Sequence, residues 1–276
     1  MEALPSLRDV IRRHDLAARR SLGQHFLLDL NLTARIARAA GDLTGCSVIE
    51  IGPGPGGLTR SLLAAGARTL VAVEKDPRCV EALAELAAAY PERLIVIQTD
   101  ALGLELASLA PPPRRIVANL PYNIAVPLLL GWLRRIDDFA SLTLMFQKEV
   151  ADRLTAAPGR PAYGRLSVIT QWRTRPRFEF NIDSRAFTPP PKVTSAVVTL
   201  DPRPAPLAPA SFAALEKVSA AAFGQRRKML RGSLKALGID PELAGIAATR
   251  RAEELSVEEF CALARLLAPA DADVAD

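Results

Sequence analysis

Near the middle of this 276-residue chain stands Asn119-Leu120-Pro121-Tyr122, four residues suited to presenting an aromatic amino group to an electrophile. The exocyclic nitrogen of a purine shares its lone pair with the ring, so it attacks carbon poorly until that delocalisation is reduced. Two acceptors reduce it: the side-chain oxygen of Asn119 and the backbone carbonyl of Leu120 can each take one amino hydrogen, aiming the nitrogen and favouring its pyramidal form. Pro121 fixes the turn, and Tyr122 offers a face on which a base can stack. Displacement at a sulfonium methyl relieves a positive charge and has a good leaving group, so it needs neither a strong base nor a metal. Composition agrees, with only two histidines, His14 and His25, and three scattered cysteines, Cys46, Cys79 and Cys261. Zinc sites, disulfide frameworks and Ser/His/Asp triads have little to work with. The competing reading of Asn-Leu-Pro-Tyr is a plain turn.

A second group, Glu50-Ile-Gly-Pro-Gly-Pro-Gly-Gly57, bears on the cofactor. Its Gly52, Gly54 and Gly57 satisfy G-x-G-x-x-G, which keeps a nicotinamide dehydrogenase in view. Pro53 and Pro55, however, have no amide to offer a pyrophosphate, and S-adenosylmethionine carries no phosphate. Downstream, Glu74 is spaced to accept from ribose hydroxyls. Asp100, followed by Ala101, is placed to accept from an adenine amino group. Capping of the following helices is the plainer role for both carboxylates.

These groups need a scaffold, and the chain alternates β-branched runs with helical ones. Residues 47–51, 69–73, 94–97 and 115–118 read as strands, and 57–65, 77–89 and 126–135 as helices. Such alternation forces right-handed crossovers and a parallel sheet covered on both faces. The expected fold is a Rossmann-like α/β sheet of the class I S-adenosylmethionine-dependent methyltransferase type. Further strands are expected at 142–146, 166–172 and 194–200, with proline- and arginine-rich loops between them. Residues 201–209 read as a proline-rich linker, because their prolines lack amide donors. Helical periodicity over 211–237 and 241–267 then gives a small all-helical C-terminal domain, and the tail from Pro269 reads as frayed. The expected organisation is 1–200, N-terminal helices plus the methyltransferase sheet; 201–209, linker; and 210–276, helical domain. No run is long and apolar enough to span a bilayer, and the first 13 residues lack the apolar core of a secretory leader, so a cytoplasmic location is expected. The net charge of +5 permits an anionic partner without demanding one.

The chain resembles the small-subunit ribosomal RNA adenine dimethyltransferases that confer kasugamycin sensitivity. Five stretches carry the likeness in the family's order: Leu22-Gly-Gln-His-Phe-Leu27, Glu50-Ile-Gly-Pro-Gly54, Asn119-Leu-Pro-Tyr-Asn-Ile124, Phe187-Thr-Pro-Pro-Pro-Lys-Val-Thr-Ser195 and Phe223-Gly-Gln-Arg-Arg-Lys228. The resemblance implies S-adenosylmethionine as cofactor and dimethylation of N6 on two adjacent adenosines in a hairpin near the 3′ end of 16S rRNA, within small-subunit biogenesis. It places His25 and Leu27 at the methionine end of the cofactor, Gly52 in the loop, Glu74 at the ribose, Asp100 at the adenine, and Asn119 against both cofactor and substrate. Phe187 would stack on the target base opposite Tyr122. A basic helix bearing Arg226, Arg227, Lys228, Arg231 and Lys235, together with Arg173, Arg175 and Arg177, supplies candidate phosphate contacts; a solvated helix face is the plainer reading. The small subunit's 16S rRNA is the expected partner, with no membrane and no metal, and a monomer is expected. Large-subunit rRNA or DNA adenine methylation, and an assembly factor acting by binding alone, remain alternatives.

Overall fold

A computed structural model describes residues 4–19, 23–225 and 227–267. Leu22, Arg226 and the Ala/Asp tail lie outside the described residues. Helix α1 (Leu7–Arg13) precedes the two-residue strand β1 (Phe26–Leu27) and helix α2 (Leu30–Ala39). The α/β alternation follows as β2 (Ser47–Ile51), α3 (Gly57–Ala64), β3 (Thr69–Glu74), α4 (Pro77–Ala89), β4 (Leu94–Gln98), β5 (Arg114–Asn119), α5 (Tyr122–Arg134) and β6 (Ser141–Gln147). Then come α6 (Lys148–Thr155), α7 (Arg165–Arg173), β7 (Thr174–Ile182), β8 (Phe187–Thr188) and β9 (Ser195–Pro202), with α8 (Phe212–Gly224), α9 (Leu230–Ser233) and α10 (Val257–Arg265) closing the chain.

Seven strands form one sheet in the order β4-β3-β2-β5-β6-β9-β7. The pairs β2–β3, β2–β5, β3–β4 and β5–β6 are parallel, and β9 runs antiparallel to β6. Strands β2 and β6 are almost wholly buried, as expected where helices cover both faces. The chain winds outward from β2 to β4 and then returns to β5 on the other side of β2. This reversal opens a crevice at the carboxyl ends of β2 and β5.

By contacts the chain divides into two units, Met1–Ala151 with Arg177–Pro202, and Asp152–Pro176 with Arg203–Asp276. In the second, Phe223 stacks on Phe260 at 5.3 Å and meets the edge of Tyr163 at 5.9 Å. The last division falls after Pro202, inside the stretch expected as a linker, because β9 continues through Asp201 and Pro202; residues 152–176, expected within the first domain, group instead with the second unit.

Three expectations need correction. Residues 166–172 are helix α7, not a strand. Ser167, Val168, Ile169, Thr170 and Trp172 are all buried, and a helix covered on most sides carries no periodicity to separate it from a buried strand. Strand β7 was expected as a loop; it stands at the sheet's edge, the place in a sheet that accommodates a proline such as Pro176. The basic segment is not one helix, since α8 stops at Gly224 and Met229 bridges to Arg251. Arg227 and Lys228 lie in that break, Arg231 in the four-residue α9, and Lys235 in a 3-10 turn.

Candidate active site

At the end of β2 the backbone turns through three left-handed glycines, Gly52 (φ +68°), Gly54 (φ +55°) and Gly56 (φ +89°). The turn keeps its amides to itself. Gly52 N–H donates to the Val73 carbonyl at 2.9 Å, Gly56 N–H to the Pro53 carbonyl at 3.0 Å, and Gly54 N–H to Glu74 Oε2 at 3.1 Å. With prolines between them, the turn from 52 to 56 has no free N–H for a pyrophosphate, which weighs against the nicotinamide alternative. Gly57 is required for a different reason. A Cβ there would sit 2.7 Å from the Leu27 carbonyl oxygen, so β1 lies directly against the start of α3.

Strand β1 is held by antiparallel pairing with β8, Phe26 opposite Thr188 and Leu27 opposite Phe187. One crevice gathers His25, Leu27, Gly52, Gly54 and Glu74 with Asp100 and Ala101; Asn119, Leu120, Pro121 and Tyr122 line it as well. Phe187 does not. Its ring is 3% exposed and packed in the hydrophobic core with Leu27 and Ile182, which leaves no face for a base.

Glu74 is buried at the end of β3. Its Oε1 accepts from the amides of Lys75 and Asp76, both at 2.8 Å, and Oε2 from Gly54. With about four acceptor positions on a carboxylate, Oε2 has room for one ribose hydroxyl rather than two. Burial raises its pKa, opposed by those three amides. Asp100 accepts from Lys75 Nζ at 2.7 Å and from the Leu102 amide at 3.0 Å, which together hold its carboxyl below the ordinary range.

Asn119 ends β5. Its Nδ2 donates to the His25 carbonyl at 3.3 Å, and because a carbonyl only accepts, this contact fixes which end of the amide is which. Oδ1 is left to receive another donor. Tyr122 opens α5, its hydroxyl 2.6 Å from the fully buried Ser195 Oγ and its ring stacked on His25 with centroids 5.8 Å apart. Burial raises the phenol's pKa, so it stays neutral. The His25 ring is engaged with Tyr122 and, through Nδ1, with the Pro189 carbonyl at 2.7 Å.

Two charged crevice residues were not singled out as ligands by the sequence. Lys75 is the partner of Asp100. Glu50 is 1% exposed, and its Oε2 has no hydrogen-bond partner. Burial pushes its pKa up to about 8, eased by the nearby Thr59 hydroxyl and reinforced by Glu74. The signal was present, since a carboxylate within Ser-Val-Ile-Glu-Ile is out of place in a buried strand.

A parallel sheet with an antiparallel strand β9 beside β6 and a glycine turn at the end of β2 has the architecture of the class I methyltransferases. The sequence matches the family model for ribosomal RNA adenine dimethylase over residues 16–269, and the chain belongs to that family. It is 66% identical over 270 residues to "Ribosomal RNA small subunit methyltransferase A" of Paramagnetospirillum magneticum, covering 97% of this chain and 96% of the relative. Its counterpart from Rhodospirillum rubrum is 62% identical, with 96% and 93% covered. Among solved structures, the 23S rRNA methyltransferase ErmE is 30% identical with a TM-score of 0.68, covering 88% of this chain and 99% of its own. A dimethyladenosine transferase from Plasmodium falciparum, 24% identical with a TM-score of 0.75 over 87% and 96%, shares the fold.

Proposed function

We propose that this chain uses S-adenosylmethionine to dimethylate N6 of two adjacent adenosines in a hairpin near the 3′ end of 16S rRNA, in small-subunit biogenesis. The observation that carries this is the orientation of Asn119, whose amide nitrogen is tied to the His25 carbonyl so that its oxygen meets an incoming amino group beside the Leu120 carbonyl.

The crevice fits that cofactor. The buried Glu50 carboxyl, whose Oε2 has no hydrogen-bond partner, suits a positively charged amino-acid end, and a turn from 52 to 56 without free amides suits a nucleoside without phosphates. Leu27, Gly52 and Gly54 flank the methionine end, Glu74 takes a ribose hydroxyl, and Asp100 with Ala101 receives the adenine. When bound, the cofactor supplies an electrophilic sulfonium methyl. Asn119 Oδ1 and the Leu120 carbonyl withdraw the adenine's amino hydrogens from the ring plane, and Tyr122 carries the base on its face. Transfer of the first methyl leaves one amino hydrogen, so a single acceptor suffices for the second. Bases that can leave their stack suit this site better than paired ones.

The exposed Arg227, Lys228 and Arg231 are the phosphate contacts we assign, with Arg175. Arg177 is weaker in that role, because Asp201 at 3.0 Å and Glu179 at 3.3 Å already share its charge. The small-subunit names of the close relatives favour 16S rRNA over large-subunit RNA. Incubation with labelled S-adenosylmethionine and under-methylated small subunits, followed by mass-spectrometric mapping, tests the reading. Two neighbouring dimethyladenosines are expected; label confined to large-subunit RNA, or none, contradicts it.

A further inference from the structure

We infer that Arg203 and Arg175 together form a phosphate-binding site in the second unit, which takes one backbone phosphodiester of the rRNA substrate. The inference rests on the reading above, since it presumes that substrate. Arg203 follows β9 and is fastened to the end of α7 by its backbone and its side chain. Its N–H donates to the Arg173 carbonyl at 2.9 Å, and its Nε donates to the carbonyls of Gln171 at 3.0 Å and Thr174 at 3.1 Å. Those carbonyls lie in the last turn and at the cap of the helix, so Nε serves as a C-cap. The two outer nitrogens of the guanidinium are left over. They hold no hydrogen-bond partner among the described residues, and a fork fixed at its root loses little freedom when it grips an anion.

Arg175 supplies the second cation. It is exposed near the start of β7, one residue past Thr174, and makes no ion pair among the described residues. Burial and the nearby Arg175 charge both draw the Arg203 pKa down, and Glu258 offsets them only in part. Two guanidiniums, one of them partly buried, are therefore held near each other against their repulsion. Arg173 is engaged elsewhere, its guanidinium over the Trp172 ring at 5.5 Å. A phosphodiester fits this arrangement. Its single negative charge meets both cations, and its two unesterified oxygens match the end-on pair of Arg203 nitrogens.

The test follows binding of under-methylated small subunits by wild type, Arg175→Gln, Arg203→Gln and the double variant across a salt series, with S-adenosylhomocysteine affinity by calorimetry and Tm in the absence of RNA. Each single variant is expected to weaken particle Kd about threefold or more and to lower the slope of log Kd against log salt by up to about 1, the counterion release of one phosphate. Because one phosphate serves both arginines, the double variant should lose little beyond the larger single loss. Arg175→Gln should leave cofactor Kd within about twofold and Tm at or above wild type, the opposite of what removing a structural contact does. Wild-type Kd and slope in both single variants overturn the inference. So do full additivity, which would mean two separate phosphates, and weaker binding of the glutamine variants at an unchanged slope. If Arg203→Gln fails to fold, Arg203→Lys decides, because it keeps the charge without the fork: particle Kd weakened about threefold or more supports the site, and wild-type Kd overturns it. Methylation by wild type on the same particles reports on the underlying reading, which the absence of dimethyladenosine would sink whatever the arginines show.

Discussion

A buried carboxyl such as Glu50 couples a proton to any cation it receives. The unfolded chain ionises it near its ordinary value of 4.5, whereas the folded protein holds the proton up to about 8. A cation on Oε2 favours the ionised form, so binding releases the proton. Below about pH 8 the affinity therefore rises with pH. We predict that S-adenosylhomocysteine Kd tightens by up to about tenfold per pH unit between about pH 6 and 7.5, the window in which an α-amino group stays charged. In Glu50→Gln the profile is flat. Calorimetry in buffers of different ionisation enthalpy checks this directly, since wild type must release a proton and the variant must not. Phe187 marks where residue-level reading stopped. Its motif is legible in the sequence, but the burial of its ring depends on β1 pairing with β8, residues 160 positions apart in Leu27 and Phe187.

Among the elements, the strands read correctly carry their β-branched pattern within themselves, whether their partners are near in sequence, as for β2 and β3, or far, as for β6 and β9. The strands at 47–51, 69–74 and 94–98 and their intervening helices alternate locally, and the crevice that collects Gly52, Glu74, Asp100 and Asn119 follows from strand order alone. Helix α7 and strand β7 were misread because each is defined by what lies against it, α7 by burial on most sides and β7 by its place at the edge. Close packing of β1 on α3 gives a sharp test at this scale. In Gly57→Ala the new Cβ meets the backbone oxygen of Leu27 at 2.7 Å, and no rotamer relieves it. We predict a stability loss of about 1–3 kcal/mol with weakened S-adenosylhomocysteine binding, read by denaturant titration and calorimetry. Gly131→Ala is the contrast. That glycine is exposed inside α5 with nothing within 4 Å of the added carbon, so the substitution should stabilise by about 0.5–1 kcal/mol.

For the molecule as a whole, two carboxyls tilt stability against pH in opposite directions. Asp76, tied to Arg78 at 2.7 Å and to Gln24 at 3.0 Å, has its pKa drawn down to about 2, mainly by Arg78. Its depressed value contributes stability above the ordinary 3.8, and this is lost as pH falls towards 2. Glu50 acts the other way: its raised value costs stability progressively as pH climbs from 4.5 to about 8. The Tm of wild type should therefore fall relative to Glu50→Gln between pH 5 and 8 in the absence of ligand, and saturating S-adenosylhomocysteine should reverse the order at pH 8. Equal slopes would deny that burial holds the Glu50 proton in the folded protein. The account's centre remains the pair of acceptors at the end of β5. The most direct measurement is single-turnover methyl transfer by Asn119→Ala on under-methylated small subunits, with S-adenosylhomocysteine binding and particle binding followed in parallel. The account predicts transfer reduced by about a hundredfold or more with particle binding retained; transfer at the wild-type rate would contradict it.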